Sequence, residues 1–217
     1  MSDQSARFLD LPVPTRVALT ERAIAERKTQ PNLWVAFETP PDWDDRAALV
    51  AEFLNGHRAI ADLGAGYMHL ERFLPRGVSY YPVDVSPRDD RTVVCDFNAS
   101  PVPRTGARAA ACLGLIEYIC DPGAFLSDIA QKYDMCALTY NVLKNPQDEE
   151  EIQVRRGWGW MHDYDLAAFE RLLSRSWEIT QRRACSASQF AWQLKAKKHS
   201  LPLRSMRRLV RFLSSRA

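Results

Sequence analysis

Apolar and polar positions along the chain follow two periods, one typical of strands and the other of helices. After residue 57, short apolar runs that end in glycine or polar residues alternate with segments that repeat apolar residues at helical spacing. This alternation predicts an α/β fold with a doubly wound, mostly parallel seven-stranded sheet that ends in an antiparallel hairpin. The predicted strands are HRAIADLG, VSYYPVDV, RTVVCDF, ARAAACL, DMCALTYNV, WEITQRRACS and QFAWQLKAK, and the predicted helices between them are YMHLERFLP, DPGAFLSDIAQKY and YDLAAFERLLSRS.

The first part of the chain has no clear strand and is predicted to be helical. PTRVALTERAIAERK has helical spacing from about Thr15, and PPDWDDRAALVAEFLNG starts at Asp42 or Asp45 and stops at Gly56. We therefore divide the chain into a helical segment, residues 1–56, that packs on the core, a main domain, residues 57–198, and a basic C-terminal helix, residues 199–217.

Composition fits a soluble globular protein, and charge separates the tail from the body. The 217 residues are 46% hydrophobic and 26% charged, with a net charge of +2. Eight of the Lys and Arg residues and no acid fall after position 194, so the rest of the chain carries 2 − 8 = −6. No signal-like or membrane-spanning apolar run is present, which favours a cytoplasmic protein. The five cysteines form no CxxC pair and the four histidines are scattered, so we expect reduced thiols, three of them buried at positions 95, 112 and 136, and no metal site.

Candidate chemistry lies where the predicted strands end, because ligands of doubly wound sheets bind beyond the carboxyl ends of the strands. Gly64 and Gly66 allow a tight turn close to a ligand. Asp84 can accept hydrogen bonds from the two hydroxyls of a ribose, and Asp96 can accept one from the exocyclic amine of an adenine. These acids could instead cap turns, but two of them after a glycine loop favour a nucleoside pocket. The full set of positions is Asp62 to Tyr67, Asp84, Asp96 with Phe97, Gly114 to Tyr118, and Tyr140 with Asn141.

The motifs ADLGAG, VDVS, CDFN and CLGLIEYICDPGAFL occur in this order, and the set resembles the class I S-adenosylmethionine-dependent methyltransferases over roughly residues 57–195. The resemblance implies S-adenosylmethionine (SAM) as cofactor and assigns a role to each motif. The methionine moiety would lie at the first loop, the ribose at the second motif, the adenine at the third, and the fourth would pass beneath the cofactor. The implied binding residues are Asp62, Gly64, Ala65, Gly66 and Tyr67, then Asp84 and Val85, Asp96 and Phe97, and Gly114 and Leu115.

Two positions depart from the common family pattern. Met68 stands where most members have glycine, and GYMHL resembles a branch in which a methionine packs against the sheet. Ala109 or Ala110 stands where many members have an acid. A dinucleotide loop needs small residues near a pyrophosphate, whereas SAM carries a sulfonium cation and no phosphate. A bulky Met68 and a nearby carboxylate such as Asp62 therefore favour SAM over a Rossmann oxidoreductase.

Three residues are candidates for catalysis, namely His162, Glu117 and Tyr140. A histidine has a pKa near ~6.5 and suits a general base, although the HDYD sequence equally suits a helix start. Glu117 could instead contact the cofactor or cap the loop before Asp121. The flanking Trp158 and Trp160 could form an aromatic lid, stack on a sugar, or pack in the core.

The substrate and the partners are less constrained by the sequence. The segment from LGLIEYI to the Gly-Trp and His162 region resembles methyltransferases of bacterial polysaccharide or O-antigen assembly, which implies O-methylation of a small molecule or a sugar precursor. The tail LPLRSMRRLVRFLSSR could lie on an anionic membrane surface, bind RNA as in an RNA methyltransferase, or dock on the body. Nucleic acid is the weaker of these partners, no obligate partner is evident, and a non-catalytic binding subunit with the same fold is the remaining alternative.

Overall fold

The computed structural model describes residues 7–30 and 42–197, which form a seven-stranded sheet with helices on both faces. The strand order is β3-β2-β1-β4-β5-β7-β6. All neighbouring strands are parallel except for β7, which is antiparallel to β5 and to β6. The predicted doubly wound sheet and its C-terminal hairpin are therefore confirmed. The strands are β1 (Ala59–Leu63), β2 (Ser79–Asp84), β3 (Val93–Val94), β4 (Ala109–Leu113), β5 (Met135–Asn141), β6 (Trp177–Ala184) and β7 (Gln189–Ala196).

Burial along the strands explains why the central ones read as continuous apolar runs. Strands β1, β4 and β5 are buried at nearly every position, because helices cover both faces of the sheet there. Both residues of the edge strand β3 are exposed, and the RTVVCDF run forms only these two residues of strand. The predicted burial of Cys95, Cys112 and Cys136 is confirmed, and all five cysteines are unpaired.

Five α-helices occur in the described part of the chain, and most of them begin at a recognisable cap. The side chains of Asp121, Asp148 and Asp165 each accept a hydrogen bond from the backbone N–H three residues later. Of the two acids considered for the start of the last helix, Asp165 is the one that caps it. The helices are α1 (Val13–Glu26), α2 (Asp42–Phe53), α3 (Pro122–Lys132), α4 (Glu149–Gly157) and α5 (Leu166–Leu173).

Two helix predictions differ from the structure. The segment after the glycine loop forms a five-residue 3₁₀ helix, His69–Phe73, rather than an α-helix ending at Pro75. Met68 precedes it in the left-handed conformation, with φ 57°, and this interrupts the helical path. Helix α4 was not predicted, because its exposed face is highly charged and its apolar residues are few.

Helix α1 packs on α4, so the N-terminal segment lies over the main domain. Arg16 Nη1 donates to the carbonyl of Gly157 at 2.6 Å, and the hydroxyl of Thr20 donates to the carbonyl of Arg156 at 2.8 Å. These bonds satisfy carbonyls at the C-terminal end of α4 that have no partner within the helix. Across residues 7–30 and 42–197, no helix combines the length and apolarity needed to cross a bilayer. The predicted basic C-terminal helix lies outside the described residues.

Candidate active site

A cavity of about 640 Å³ opens at the carboxyl ends of the parallel strands. This size and place are typical of the ligand sites of doubly wound sheets. One end of the cavity lies beyond β2 and β3, and the other lies beyond β4, β5 and β7. Its wall includes every cofactor-binding residue predicted from the sequence, namely Asp62, Gly64, Ala65, Gly66, Tyr67, Asp84, Val85, Asp96, Phe97, Gly114 and Leu115.

The glycine loop brings backbone close to the cavity where no Cβ would fit. Gly64 has φ 75°, and a Cβ there would lie 2.9 Å from Leu115 Cδ1. Gly114 has φ 62°, and a Cβ there would lie 3.0 Å from Arg46 Nη1. Both glycines are therefore required by conformation and by space. No α-helix starts at this loop, so it lacks the helix N-terminus on which a dinucleotide pyrophosphate rests.

Asp84 ends β2 and has its carboxylate held at the cavity wall. Its Oδ2 accepts from the backbone N–H of Gly66 at 2.9 Å, which ties β2 to the glycine loop. Its Oδ1 accepts from the N–H of Ser86 at 2.9 Å and from Arg88 Nη2 at 3.3 Å. A carboxylate offers about four acceptor positions, so capacity remains for a ligand hydroxyl.

Asp96 follows β3 and is fixed by a residue from the N-terminal segment. Its Oδ1 accepts from the hydroxyl of Thr29 at 2.5 Å and from the N–H of Asn98 at 2.9 Å. Asn98 Nδ2 in turn donates to Thr29 Oγ1 at 2.9 Å and to the carbonyl of Tyr118 at 3.0 Å. The neighbouring Phe97 packs its ring 5.2 Å from that of Phe125. These bonds fix Oδ1 and leave Oδ2 for a ligand amine.

Asp62 ends β1 and is a buried acid with an incomplete set of hydrogen bonds. Its Oδ2 accepts from the hydroxyl of Tyr80 at 2.5 Å, whereas Oδ1 has no hydrogen-bond partner among the described residues. Burial is the main reason that the pKa of Asp62 rises to about 7, and the Tyr80 hydrogen bond and the positive charge of Arg46 partly oppose that rise. The guanidinium of Arg46 lies 4.3 Å from the ring centre of Trp43, and both residues are in the cavity wall.

Glu117 is a further buried acid of the wall, at the end of the cavity beyond β4 and β5. Its side chain is 1% exposed. Oε1 accepts from the backbone N–H and from Nδ2 of Asn141, each at 3.0 Å. Oε2 has no hydrogen-bond partner among the described residues. Burial raises the pKa of Glu117, and the bonds from Asn141 and the charge of Arg155 oppose that shift.

The segment after α4 covers the turn after β4 through three successive contacts. The N–H of Met161 donates to the carbonyl of Glu117 at 2.7 Å, and Trp160 Nε1 donates to the Tyr118 hydroxyl at 2.9 Å. His162 Nε2 hydrogen bonds with the carbonyl of Ile119. We call residues 158–162 the roof loop. It places Trp158, Trp160 and Met161 in the cavity wall.

Of the three predicted catalytic residues, one lies in the cavity wall. Glu117 is in the cavity wall, whereas His162 and Tyr140 are outside it. His162 stacks on Tyr164 at 5.5 Å, and burial lowers its pKa. The hydroxyl of Tyr140 donates to the carbonyl of His162 at 3.2 Å, and its ring stacks on Phe169 at 4.2 Å. Both residues therefore hold the roof loop and the core in place.

Several wall residues were missed by sequence reasoning. Thr29 and Arg46 come from segments without a recognised motif, whereas Asn98 is the last residue of the CDFN motif. His69 also lies in the wall, where its Nδ1 is 2.7 Å from Asp44 Oδ1 and its Nε2 has no partner in the described part of the chain. Only the CDFN motif carried a signal, since it includes Asn98 beside the predicted adenine acid.

The comparisons with known proteins give structural neighbours but no sequence relatives. No family model and no curated protein matches the sequence. The mitomycin 7-O-methyltransferase MmcR superposes with a TM-score of 0.60 at 15% identity, over 88% of this chain and 70% of that one. Human N-acetylserotonin methyltransferase in complex with SAM gives 0.56 at 14% identity, over 86% of this chain and 57% of that one. The N-terminal domain of EvdMO1 with SAH bound gives 0.52 at 18% identity, over 84% and 97%.

These neighbours and the strand order show the fold. It is the Rossmann-like fold of the class I methyltransferases, with the seventh strand inserted antiparallel between β5 and β6. The fold class predicted from the sequence is thus confirmed.

Proposed function

We propose that this chain is a SAM-dependent methyltransferase. The observation that carries the proposal is the placement of three carboxylates, Asp62, Asp84 and Asp96, at the ends of β1, β2 and β3 around one cavity with a glycine loop. Two of the structural neighbours, human N-acetylserotonin methyltransferase and the EvdMO1 domain, contain SAM and SAH respectively, which supports the same ligand class.

The described residues fit this cofactor on physical grounds. Gly64 and Gly114 both have a left-handed φ and line the cavity, so backbone without a side chain faces the ligand there. Asp62 Oδ1 is a buried oxygen without a hydrogen-bond partner among the described residues, which suits the cationic amino acid end of SAM. Arg46 beside Gly114 suits its carboxylate. When bound, the cofactor supplies a methyl group on a sulfonium, and this chain's residues hold it, keep water out and orient the acceptor.

Each end of the cavity is assigned to one part of the ligand. Asp84 would hold the ribose hydroxyls, and Asp96, fixed by Thr29 through Oδ1, would take the adenine amine. The absence of an α-helix N-terminus at the glycine loop argues against a dinucleotide. The sulfonium end then lies toward Gly114, Leu115 and Glu117.

We propose that the acceptor is an uncharged, hydroxyl-bearing ring compound such as a sugar unit. The far end of the cavity combines two amides with aromatic rings. Asn141 and Gln189 are opposite each other on β5 and β7, so their side chains share one face of the sheet. Amides both donate to and accept from hydroxyls. Trp158, which is 50% exposed at the wall, offers an indole face for stacking on a ring.

Calorimetry with SAM, SAH and NAD tests the cofactor assignment. We expect both SAM and SAH to bind the wild-type protein and NAD not to bind. Asp84→Asn should weaken both ligands equally, on the order of tenfold or more, since it removes a charge-assisted hydrogen bond to a shared ribose. Asp89→Asn is the matched control, because Asp89 is nearby but outside the cavity wall. If the wild-type protein binds neither SAM nor SAH, the proposal is wrong.

A release assay for SAH tests the acceptor. The purified protein is incubated with SAM and with methyl glycosides, nucleotide sugars, phenols, primary amines and tRNA in separate reactions. Turnover with the sugars or phenols would support a hydroxyl acceptor, whereas turnover only with amines or tRNA would contradict it. Trp158→Ala should raise KM for a ring acceptor with little change in SAM affinity, and Trp158→Phe should preserve most of the wild-type KM.

A further inference from the structure

The buried Glu117 and the half-buried Asn141 form a hydrogen-bonded pair at the acceptor end of the cavity, and no step described so far uses Glu117. Asn141 contributes both a backbone and a side-chain donor to a single carboxylate oxygen, Oε1. The other oxygen, Oε2, is buried and has no partner among the described residues. A buried carboxylate oxygen without a donor costs free energy, so such an atom is typically completed by a ligand.

We propose that Glu117 Oε2 accepts the proton of the acceptor hydroxyl and that Asn141 positions it for this step. The inference rests on the proposed methyltransferase function and names the base of that same site. The carboxylate is held through Oε1 by two donors, so Oε2 has a fixed direction when the acceptor binds.

The step balances in atoms and charge. The O–H bond of the acceptor breaks, and its proton goes to Glu117 Oε2. The electron pair of that bond forms the new bond between oxygen and the methyl carbon. The pair of the broken C–S bond stays on sulfur, which becomes a neutral thioether. A carboxylate and a sulfonium are thus both neutralised, which is favourable in a site shielded from water.

The charge of the cofactor and the charge of Glu117 are therefore coupled. Burial favours the neutral acid in the free protein, and a sulfonium nearby favours the carboxylate. SAM binding should ionise Glu117 and release its proton. SAH carries the same amino acid and nucleoside parts but no sulfonium, so its binding should not do so. The difference in proton release between the two ligands therefore reports only on titratable groups near the sulfonium.

Other charged groups face the same region and must be separated from Glu117. The positive charge of Arg155, from α4, lowers the pKa of Glu117. Arg46, from α2, lines the same cavity. Tyr118 is adjacent and Tyr140 lies on β5, and burial keeps both hydroxyls protonated. Asp62 on β1 also has a buried oxygen with no hydrogen-bond partner in the described part of the chain, so it provides the matched control.

Calorimetry of SAM and SAH binding in two buffers of different ionisation enthalpy measures the protons released. At pH values where Glu117 is protonated in the free wild-type protein, SAM should release more protons than SAH, and the preference for SAM over SAH should grow by up to about tenfold per pH unit there. Glu117→Gln should remove this difference while retaining SAH affinity. Asp62→Asn should weaken both ligands but keep the difference. Asn141→Ala should move the pH at which the SAM preference rises.

The outcomes separate the two proposals. If neither ligand binds the wild-type protein, the methyltransferase function fails. If both bind but release equal numbers of protons at every pH, only the role of Glu117 is wrong. The role of Glu117 is also wrong if Asp62→Asn, and not Glu117→Gln, removes the difference in proton release between SAM and SAH. The wild-type measurement stands without any variant, so a variant that does not fold leaves the test intact.

Discussion

The hydroxyl of Thr29 donates a 2.5 Å hydrogen bond to Asp96 Oδ1, joining the segment after α1 to the end of β3. Asn98 completes the contact by donating to Thr29 Oγ1. The N-terminal segment thus builds one wall of the proposed adenine site, and α1 is anchored to α4 on the other side of the cavity. Ligand affinity should therefore depend on a residue far from any motif.

We expect Thr29→Val to weaken SAM and SAH several-fold, since one hydrogen bond that orients Asp96 is lost, worth about 0.5–1.5 kcal/mol. Thr29→Ser keeps the hydroxyl and should bind nearly as the wild type does. Calorimetry with both ligands is the measurement. Equal affinities for the valine and serine variants would show that Asp96 needs no support from this segment.

The stability of the free protein should fall as pH rises toward and through 7, because of Asp62. Its pKa is raised in the folded state from 3.8 to about 7. The folded protein therefore binds this proton more tightly than the unfolded chain does, so the stabilisation is complete below about pH 4 and is lost as pH rises to 7. The loss amounts to roughly 4 kcal/mol at most.

Urea unfolding of the wild type and of Asp62→Asn between pH 5 and 8 measures this slope. The variant cannot ionise, so its stability should depend less on pH. Glu117 acts in the same direction, because its pKa is also raised, and part of the slope will remain in the variant. If Asp62→Asn leaves the pH dependence of stability unchanged, a group other than Asp62 is responsible for it.

Gly64 should tolerate alanine less well than Gly77 does. Both have left-handed φ, 75° and 87°, but a Cβ at Gly77 meets nothing within 4 Å, whereas one at Gly64 lies 2.9 Å from Leu115 Cδ1. Gly77→Ala should cost only the conformational strain, about 1–2 kcal/mol. Gly64→Ala should cost about 1–3 kcal/mol more through overpacking.

Denaturant unfolding of both variants gives the comparison. Adding Leu115→Ala to Gly64→Ala should relieve the overlap with the two δ carbons of Leu115, and leave the strain and the 3.2 Å contact with the Cβ of residue 115. If the two single variants unfold at the same denaturant concentration, the close approach of Leu115 is not a constraint on the loop.

Arg155 should be essential for stability, although it lies outside every predicted motif. It is 2% exposed and donates to the carbonyl of Asn141 at 2.9 Å, the Tyr140 hydroxyl at 2.9 Å and the carbonyl of His162 at 2.7 Å. Its Nε also pairs with Asp163 Oδ1 at 3.0 Å. Arg155→Met takes a donor from the carbonyls of Asn141 and His162 and from the Tyr140 hydroxyl, whereas Asp163 keeps its pair with Arg156. Because buried acceptors lose their donor, we expect a loss of about 1–3 kcal/mol.

The control is Arg183→Met, which breaks an exposed ion pair with Glu52 and should cost about 1 kcal/mol or less. Thermal or urea unfolding measures both. Similar losses for the two variants would contradict the assigned role of the Arg155 network.

The sequence indicated the cofactor end of the cavity because its determinants are local. Asp84 and Asp96 end apolar strand runs, and parallel strands bring their carboxyl ends to one edge. Gly64 and Gly66, separated by one residue after a strand, indicate a tight turn from the local sequence alone. The alternation of strands and helices, together with the rules of chain connection, predicted the doubly wound sheet and its C-terminal hairpin, whereas the order of the strands came from the structure.

The acceptor end depended on tertiary contacts that no local pattern records. His162 has the residue type of a base, yet it is not among the residues that line the cavity, and its ring hydrogen bonds with the carbonyl of Ile119. Glu117 is a buried carboxyl with one satisfied and one unsatisfied oxygen. This arrangement arises because β5 brings Asn141 to Oε1 and the surrounding chain buries Oε2.

The sequence by itself thus determined the sheet, the glycine loop and the acids at the strand ends. The tertiary structure decided which acids are buried, which oxygens are satisfied and which aromatic rings face the cavity. The physical reason is that strand and turn preferences act over a few residues, whereas desolvation and hydrogen-bond completion depend on segments far apart in the chain, such as Thr29 with Asp96.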